Sequence, residues 1–244
     1  MDTILVRTNS YNTEDADALL RGLLRGYRFN VCETATDAAA ALSIRRRVYV
    51  DSNGYQLPVP DEYDRRSWLL LAREASSGEA VGSVRITPRA AGSLEAEEYF
   101  TLPPRLRSPR SAEISRLSIM PAHRKSRTFL PVVSLGLFKL VMLFLESIDA
   151  DFMVICSKPE RIWTFDWMRF SRTGLVARYA KLADAEHELL WYDFKRKERI
   201  LEGHPFRAFF LDLKYREVVL PTRAPRLGIG SGERSNPIPL RARA

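Results

Sequence analysis

Residues 112–119 read AEISRLSI, which places a carboxylate (Glu113), a hydroxyl (Ser115) and a guanidinium (Arg116) on a segment that otherwise has the composition of a β-strand. Charge is expensive in such a segment unless it is used or paired. Two outlets are open: Glu113 accepts a proton at a reacting centre, or Glu113 and Arg116 form a structural ion pair, as buried charges usually do. Side chains alternate along an unbroken strand, so the two residues would point to opposite faces. If both serve one site, a β-bulge must lie between them. Otherwise Arg116 holds a loop through Asp61 or Asp64 while Glu113 alone faces substrate, and we favour this division.

More charged constellations precede the strand. RRRVYVDSNGY at 45–55 sets Arg45 and Tyr49 one helical turn apart, with Tyr55 in the loop that follows. DEYD at 61–64 pairs Asp61 with Asp64, and GSVRI at 82–86 carries Arg85. Salt-bridge scaffolding and substrate contact are both open to Asp61, Asp64 and Arg85, and Tyr49 and Tyr55 have core packing as the plain alternative. The histidines, His123, His187 and His204, are dispersed without metal-ligand spacing, so no metal is expected. Cys32 and Cys156 form neither a C-x-x-C pair nor a disulfide framework, which fits a reduced, cytoplasmic setting. Gly228-Ile229-Gly230-Ser231-Gly232 imitates a phosphate loop but lacks the flanking strand and helix, and is rejected.

The elements that must position these groups follow from composition and periodicity. A chain of 244 residues with 45% hydrophobic residues can bury a core, and one domain over 1–221 is expected. Residues 222–244, rich in arginine, proline and glycine, read as a flexible basic tail. The net charge of +8 permits nucleic acid, an anionic membrane touched peripherally, or an acidic protein as partner without choosing among them. The N-terminus has no sustained apolar stretch of the secretory kind. The apolar run Val132–Ile148 carries two charges, Lys139 and Glu146, seven residues apart on one helical stripe. It reads as a core helix, shorter than the ~20 apolar residues that a transmembrane segment requires.

Along the chain, Asn12 or Thr13 can cap a first helix carrying Leu19, Leu20, Leu23, Leu24 and Tyr27. A second helix runs from about Thr36 through Ala41, Ile44 and Val48 and stops before Gly54, and 54–66 is loop. WLLLAR (68–73) and AVGSVRI (80–86) flank Ser76-Ser77-Gly78 as a hairpin, 87–111 is an irregular excursion, and a strand follows at 113–120. After the helix from Pro131 comes a buried strand, FMVICS (152–157), and Ser157-Lys158-Pro159-Glu160 as a capping box opening another helix. Gly174 ends that segment, 187–194 is a strand, and 206–213 is ambiguous between helix and strand.

In this order the marks resemble the GNAT-like acyltransferase fold and, more narrowly, the group containing acyl-homoserine-lactone synthases and N-acyl amino acid synthases. The resemblance spans roughly residues 36–195 and rests on Arg45, Tyr49, Tyr55, Asp61, Asp64, Arg85 and the E-x-S-R of Glu113-Ile114-Ser115-Arg116. It implies an α/β (α+β) fold with a central mixed sheet flanked by helices, and an N-acyltransferase activity. Glu113 is then the general base that relieves an amine of its proton, directly or through water. Arg45, Tyr49, Tyr55, Asp61, Asp64, Arg85, Ser115 and Arg116 bind substrate or organise the site.

CoA-dependent members of the wider fold cradle the donor pyrophosphate on an R/Q-x-x-G-x-G/A loop. Here Pro121–Thr128 has none of those glycines. The resemblance therefore implies acyl-phosphopantetheine on acyl carrier protein as donor, with no permanently bound cofactor. Arg105, Arg107, Arg110, Arg124, Lys125 and Arg127 could form its docking surface, although a basic run is also an ordinary solvated face. The expected reaction moves a fatty acyl chain from acyl carrier protein to the α-amine of a small amino acid. The nearest rival is an acyl-homoserine-lactone synthase using S-adenosylmethionine, which the tyrosine at position 55, where those synthases carry tryptophan, weakens. A nucleic-acid-binding protein is the alternative from another class, but no recognition helix or RNA-binding aromatic motif supports it.

Overall fold

The computed structural model describes residues 13–124, 130–212 and 214–221. Helix α1 (Thr13–Leu24) leads to strand β1 (Tyr27–Val31) and helix α2 (Ala35–Arg45). The Thr34 hydroxyl caps α2 by accepting a hydrogen bond from the Asp37 N–H at 3.1 Å, satisfying one of the donors that a helix start leaves without a partner. From Arg46 to Ser52 the helix widens into a π-helix, a local form often found at functional sites. Strands β2 (Trp68–Glu74) and β3 (Ala80–Pro88) form the hairpin that their alternation predicts. Then come β4 (Ser111–Ile119), α3 (Val132–Ser147), β5 (Phe152–Ser157), α4 (Ile162–Trp167), β6 (Ser171–Tyr179) and β7 (Ala185–Asp193). Two short helices, α5 (Lys197–Ile200) and α6 (Arg207–Leu211), and the two-residue strand β8 (Val218–Val219) complete the described chain.

All eight strands join one mixed sheet in the order β6-β7-β5-β4-β3-β2-β1-β8. Helix α3 covers one face with Leu135, Leu137, Phe138, Val141, Phe144 and Leu145 packed on Phe29, Leu70, Val84, Ile86 and Ile114. It crosses β1 so closely that a Cβ on Gly136 would stand 2.1 Å from the Phe29 ring, which is why glycine occupies that position. The other face carries α2 on Leu69 and Leu71, and the 54–60 and 94–106 segments on Val154 and Leu189. On β4, Ala112 and Ile114 belong to the α3 side, so alternation turns Glu113 and Ser115 toward the opposite face.

Between β4 and β5 the sheet opens. The two strands pair in parallel only through Ser111–Phe152, Ala112–Met153 and Glu113–Val154, and then separate. The cause is local: Arg116 adopts a left-handed φ of 57°, and the β3–β4 register slips where Arg85 lies opposite Ser115 but Ser83 opposite Ser118. This is the bulge that a shared site for Glu113 and Arg116 requires.

Several sequence expectations are corrected. Gly174 does not end a segment; it sits inside β6 with φ 74°, where that strand bulges opposite β7. The proposed capping box does not form, because Ser157 Oγ donates to the Lys158 carbonyl and no side chain caps the turn at Pro159. Lys139 and Glu146 part company: Lys139 is fully buried with Nζ donating to the Phe210 carbonyl at 3.0 Å, while exposed Glu146 pairs with Lys197. The loop 54–66 contains a 3₁₀ turn at Glu62–Arg66, and the ambiguous 206–213 stretch supplies α6. Asn12, the 222–244 tail and its Gly228–Gly232 run lie outside the described residues. No described helix is long and apolar enough to cross a membrane.

Candidate active site

The bulge gathers the charged constellations of the sequence into one buried cluster beside the opening. Asp61 is the cap of the Glu62–Arg66 turn: its side chain accepts from the Tyr63 N–H at 3.0 Å, while Asp64 Oδ2 accepts from the Asp61 N–H at 2.7 Å. That turn presents both carboxylates to arginines arriving from three different elements. Arg45, at the end of α2, donates from Nη1 to both Asp64 oxygens at 2.8 Å. Arg85, on β3 and fully buried, donates to Ser115 Oγ at 3.1 Å, to Asp61 Oδ1 at 2.5 Å and to Glu95 Oε2 at 2.5 Å. Arg116 reaches Glu95 Oε1 at 2.5 Å and Asp61 Oδ2 at 3.3 Å. Arg116 thus holds the 61–66 turn through Asp61, the loop-holding role that the favoured division gives it, and Glu95 joins the pair.

Glu95 is the residue that sequence reading missed. It lies in the irregular excursion between β3 and β4, 1% exposed, bridging two arginines. Nothing in LEAEEYF separates it from Glu97 and Glu98, since an acid in an irregular run reads as solvated. Its neighbour matters equally: the Ala96 N–H donates to Glu113 Oε2 at 3.0 Å.

The charges explain the acidity of Glu113. Three guanidiniums (Arg45, Arg85, Arg116) face four carboxyls (Asp61, Asp64, Glu95, Glu113), so the cluster is neutral when one carboxyl is protonated. Glu113 holds that proton most readily. Burial, then the Glu95 charge, push its carboxyl up to about 7, against the Ala96 N–H, Arg85 and Arg116. Asp61, although burial opposes its ionisation, is held below the usual carboxylate range by Arg85, Arg116 and Arg45. Glu113 is only 2% exposed, and the two surface cavities at Arg25–Glu217 and Phe194–Arg199 do not border it.

The tyrosines span the opening. Tyr49, at the π-helix, donates from Oη to the Leu117 carbonyl on β4 at 3.4 Å, and its ring meets Tyr55 edge-on at 5.7 Å. Tyr55 Oη accepts from Lys158 Nζ at 2.8 Å, just past the end of β5. A bridge Leu117–Tyr49–Tyr55–Lys158 thus crosses from one splayed strand to the other, and Lys158 was not anticipated. On the inner side stand Cys156, partly buried, and Tyr179, whose ring stacks on Tyr99 at 3.8 Å and whose buried hydroxyl faces the Cys156 thiol. Burial, reinforced by the Glu113 charge, pushes the Cys156 thiol well up, so it stays protonated.

Open backbone accompanies the open strands. The Met120 N–H donates to the Val81 carbonyl, and Ser118 lies opposite Ser83. Backbone groups alternate sides along a strand, so those of Ser118 face β3, and those of Leu117 and Ile119 face the gap. There the Leu117 carbonyl receives Tyr49 Oη and the Ile119 carbonyl receives Arg124 Nε at 2.8 Å. The N–H groups of the same two residues face the gap without a strand opposite them.

Of the basic residues predicted to dock a carrier, the four described ones lie toward opposite ends of β4. Arg105 stacks over Trp191 at 4.1 Å, Arg107 Nε donates to the Leu102 carbonyl, and Arg110 pairs with Asp149 and Asp151, all toward the start of β4. Arg124 sits past the other end of β4, and Lys125 and Arg127 lie outside the described residues. The histidines are committed elsewhere: His123 to Tyr27 Oη, His187 to the Ala185 carbonyl and His204 to the Trp167 carbonyl.

Comparison with known proteins places this geometry. The profile of the family described as N-acyl amino acid synthase FeeM matches residues 40–193, a span that holds every side chain of the buried cluster. The solved structure of FeeM, an N-acyl amino acid synthase from uncultured soil microbes, superposes with a TM-score of 0.57 at 14% identity, covering 72% of this chain and 96% of that one. The CoA-dependent acyl-homoserine lactone synthase BjaI, solved with SAM and isopentyl-CoA, gives 0.60 at 18% identity, covering 83% and 96%. A putative N-acetyltransferase from Lactobacillus plantarum gives 0.53 at 11% identity, covering 69% and 99%. These likenesses establish the fold. No curated protein matches the chain.

Proposed function

Given that this chain belongs to the N-acyl amino acid synthase FeeM family and is an N-acyltransferase, we propose that it joins a fatty acyl group, delivered as a thioester on acyl carrier protein, to the α-amine of an amino acid. The observation that carries this reading is the position of Glu113. It is the last residue of β4 paired with β5 before the strands part, and its carboxyl titrates at about 7.

An α-amine has a reference pKa of about 7.7–8.0 and must lose a proton before it attacks a carbonyl. Glu113 takes that proton through water, since its carboxylate is too enclosed for direct contact. General-base assistance of this kind contributes on the order of 10²- to 10⁴-fold. The amine nitrogen then bonds to the thioester carbon, and the oxyanion is met by the N–H of Leu117 or Ile119, donors already fixed toward the gap. The adduct nitrogen gives up its second proton to water, the C–S bond breaks, the departing thiolate takes up a proton from that water, and Glu113 returns its own to solvent. Arg85, Arg116, Asp61 and Glu95 hold the bulged strand and the excursion in register, and Arg45 with Asp64 fastens α2 to the same cluster. Substrate would enter where the Tyr49–Tyr55–Lys158 bridge spans the gap, and the bridge has to part to admit it. The carrier as donor is supported by a 121–128 segment without the glycines that a pyrophosphate cradle uses.

Incubation of the purified chain with long-chain acyl carrier protein or the matching acyl-CoA, and with a mixture of amino acids and S-adenosylmethionine, read by mass spectrometry, tests this. An N-acyl amino acid is expected. A homoserine lactone product would move the acceptor to S-adenosylmethionine, and no transfer from any thioester would overturn the reading.

A further inference from the structure

A cavity of about 290 Å³ at the β1 edge of the sheet is lined by Arg25, Tyr27, Arg28, Ala75, Arg216 and Glu217. Three guanidiniums therefore face one carboxylate, and that carboxylate is engaged by Arg216 at 3.0 Å. Arg25 and Arg28 are exposed and make no ion pair among the described residues. The next acid, Glu74 on the adjoining end of β2, accepts from Ser77 Oγ and keeps its charge beside Tyr27, so the three arginines still outnumber the two nearby carboxylates. Exposed arginines that converge without partners repel one another, so the arrangement is stabilised when something anionic enters.

The cavity's place in the sheet indicates what enters. Tyr27 lies opposite Glu74, Ala80 follows on β3, and Ile119 lies opposite Gly82, so the cavity shares the end of the sheet at which β4 leaves β5. Tyr27 Oη meets His123 Nδ1 at 3.2 Å, tying the cavity to the turn after β4, and Arg124 of that turn holds the Ile119 carbonyl. Three inter-strand spacings separate β1 from β4, roughly 14 Å at about 4.8 Å each. A partner seated on the arginines would thus stand beside the opening but not in it, at a separation that a flexible prosthetic arm can cross.

Resting on the acyl-carrier reading above, we infer that the Arg25–Arg28–Arg216 cavity, together with the rim at His123 and Arg124, is the docking site for the acidic face of the acyl carrier protein. The arginines nearer the start of β4, at 105, 107 and 110, are tied to a ring, a carbonyl and two aspartates and are not part of it. Rim charges of this kind act on encounter rate and its salt dependence.

The test is the double charge reversal Arg25→Glu with Arg28→Glu, assayed with three donors carrying the same acyl chain: the carrier protein, CoA and free pantetheine. KM for the acyl carrier is expected to rise roughly tenfold or more and to lose most of its salt dependence, with acyl-pantetheine unaffected. An unchanged carrier KM overturns the inference and leaves the acyltransferase reading standing. A rise for acyl-CoA alone makes the cavity a phosphate seat and also overturns it, and an equal fall with all three donors marks general damage and does the same. Should the wild type transfer from no donor, the function has failed separately, and docking is judged by titrating holo-carrier directly: it must bind the wild type and not the double variant.

Discussion

At the scale of single residues, proton affinity is set by who is buried beside whom. Arg45, Arg85, Glu113 and Arg116 were legible in the sequence because charge on a strand or helix face demands a partner, Asp61 and Asp64 through the resemblance, and the structure brings all six together. Glu95 was not legible, because its burial depends on how an irregular segment folds back, which no local pattern encodes. The cluster has a thermodynamic signature. Glu113 titrates at about 7 when folded and near its ordinary 4.5 when unfolded, so the folded state binds its proton more tightly. Its contribution to stability is fully present below pH about 4.5 and is lost as pH rises to about 7, beyond which the loss is constant at about 3 kcal/mol. Asp61, whose affinity is shifted downward, contributes in the opposite sense at more acid pH, where its contribution is lost as pH falls. Denaturant midpoints of the wild type should therefore decline between pH 4.5 and 7 relative to those of Glu113→Gln; parallel curves for the two proteins would show that no such proton is held.

At the scale of elements, one bulge does most of the positioning. The left-handed Arg116 shifts the β3–β4 register, separates β4 from β5 and brings Arg116 to the face of Glu113. Alternation in AEISRLSI made such an irregularity the condition for Glu113 and Arg116 to serve one site. Strand β6, by contrast, escaped notice: as an edge strand it is mostly exposed on both faces, so its apolar residues, Leu175 and Val176 among them, do not alternate with a core. The excursion before β4 is the other positioning element, since it delivers both the Glu95 charge and the Ala96 N–H. Glu95→Gln keeps the shape and one acceptor oxygen, sets an amide N–H2 against the second arginine, and removes the charge that raises Glu113. The rate is expected to fall, and the low-pH limb of kcat/KM, set by Glu113, to move acidward from about 7. A lower rate with the limb in place would mean that Glu95 only braces the arginines.

At the scale of the whole molecule, the site cluster is close to neutral, so the excess of eight positive charges resides elsewhere. Part of it rims the end of the sheet where the strands open, at Arg25, Arg28, Arg124 and Arg216. Composition revealed the excess but not its place, because residues from β1, the turn after β4 and the approach to β8 meet only through the sheet order. That order also sets the Glu113 carboxyl and the gap-facing N–H groups of Leu117 and Ile119 along a single strand, and the proposed catalysis rests on this alignment. The most direct test is the turnover of Glu113→Gln on an acyl carrier donor, with folding checked by circular dichroism. The fold should persist while kcat drops by about 10²-fold or more; a correctly folded variant that turns over like the wild type would contradict the assignment.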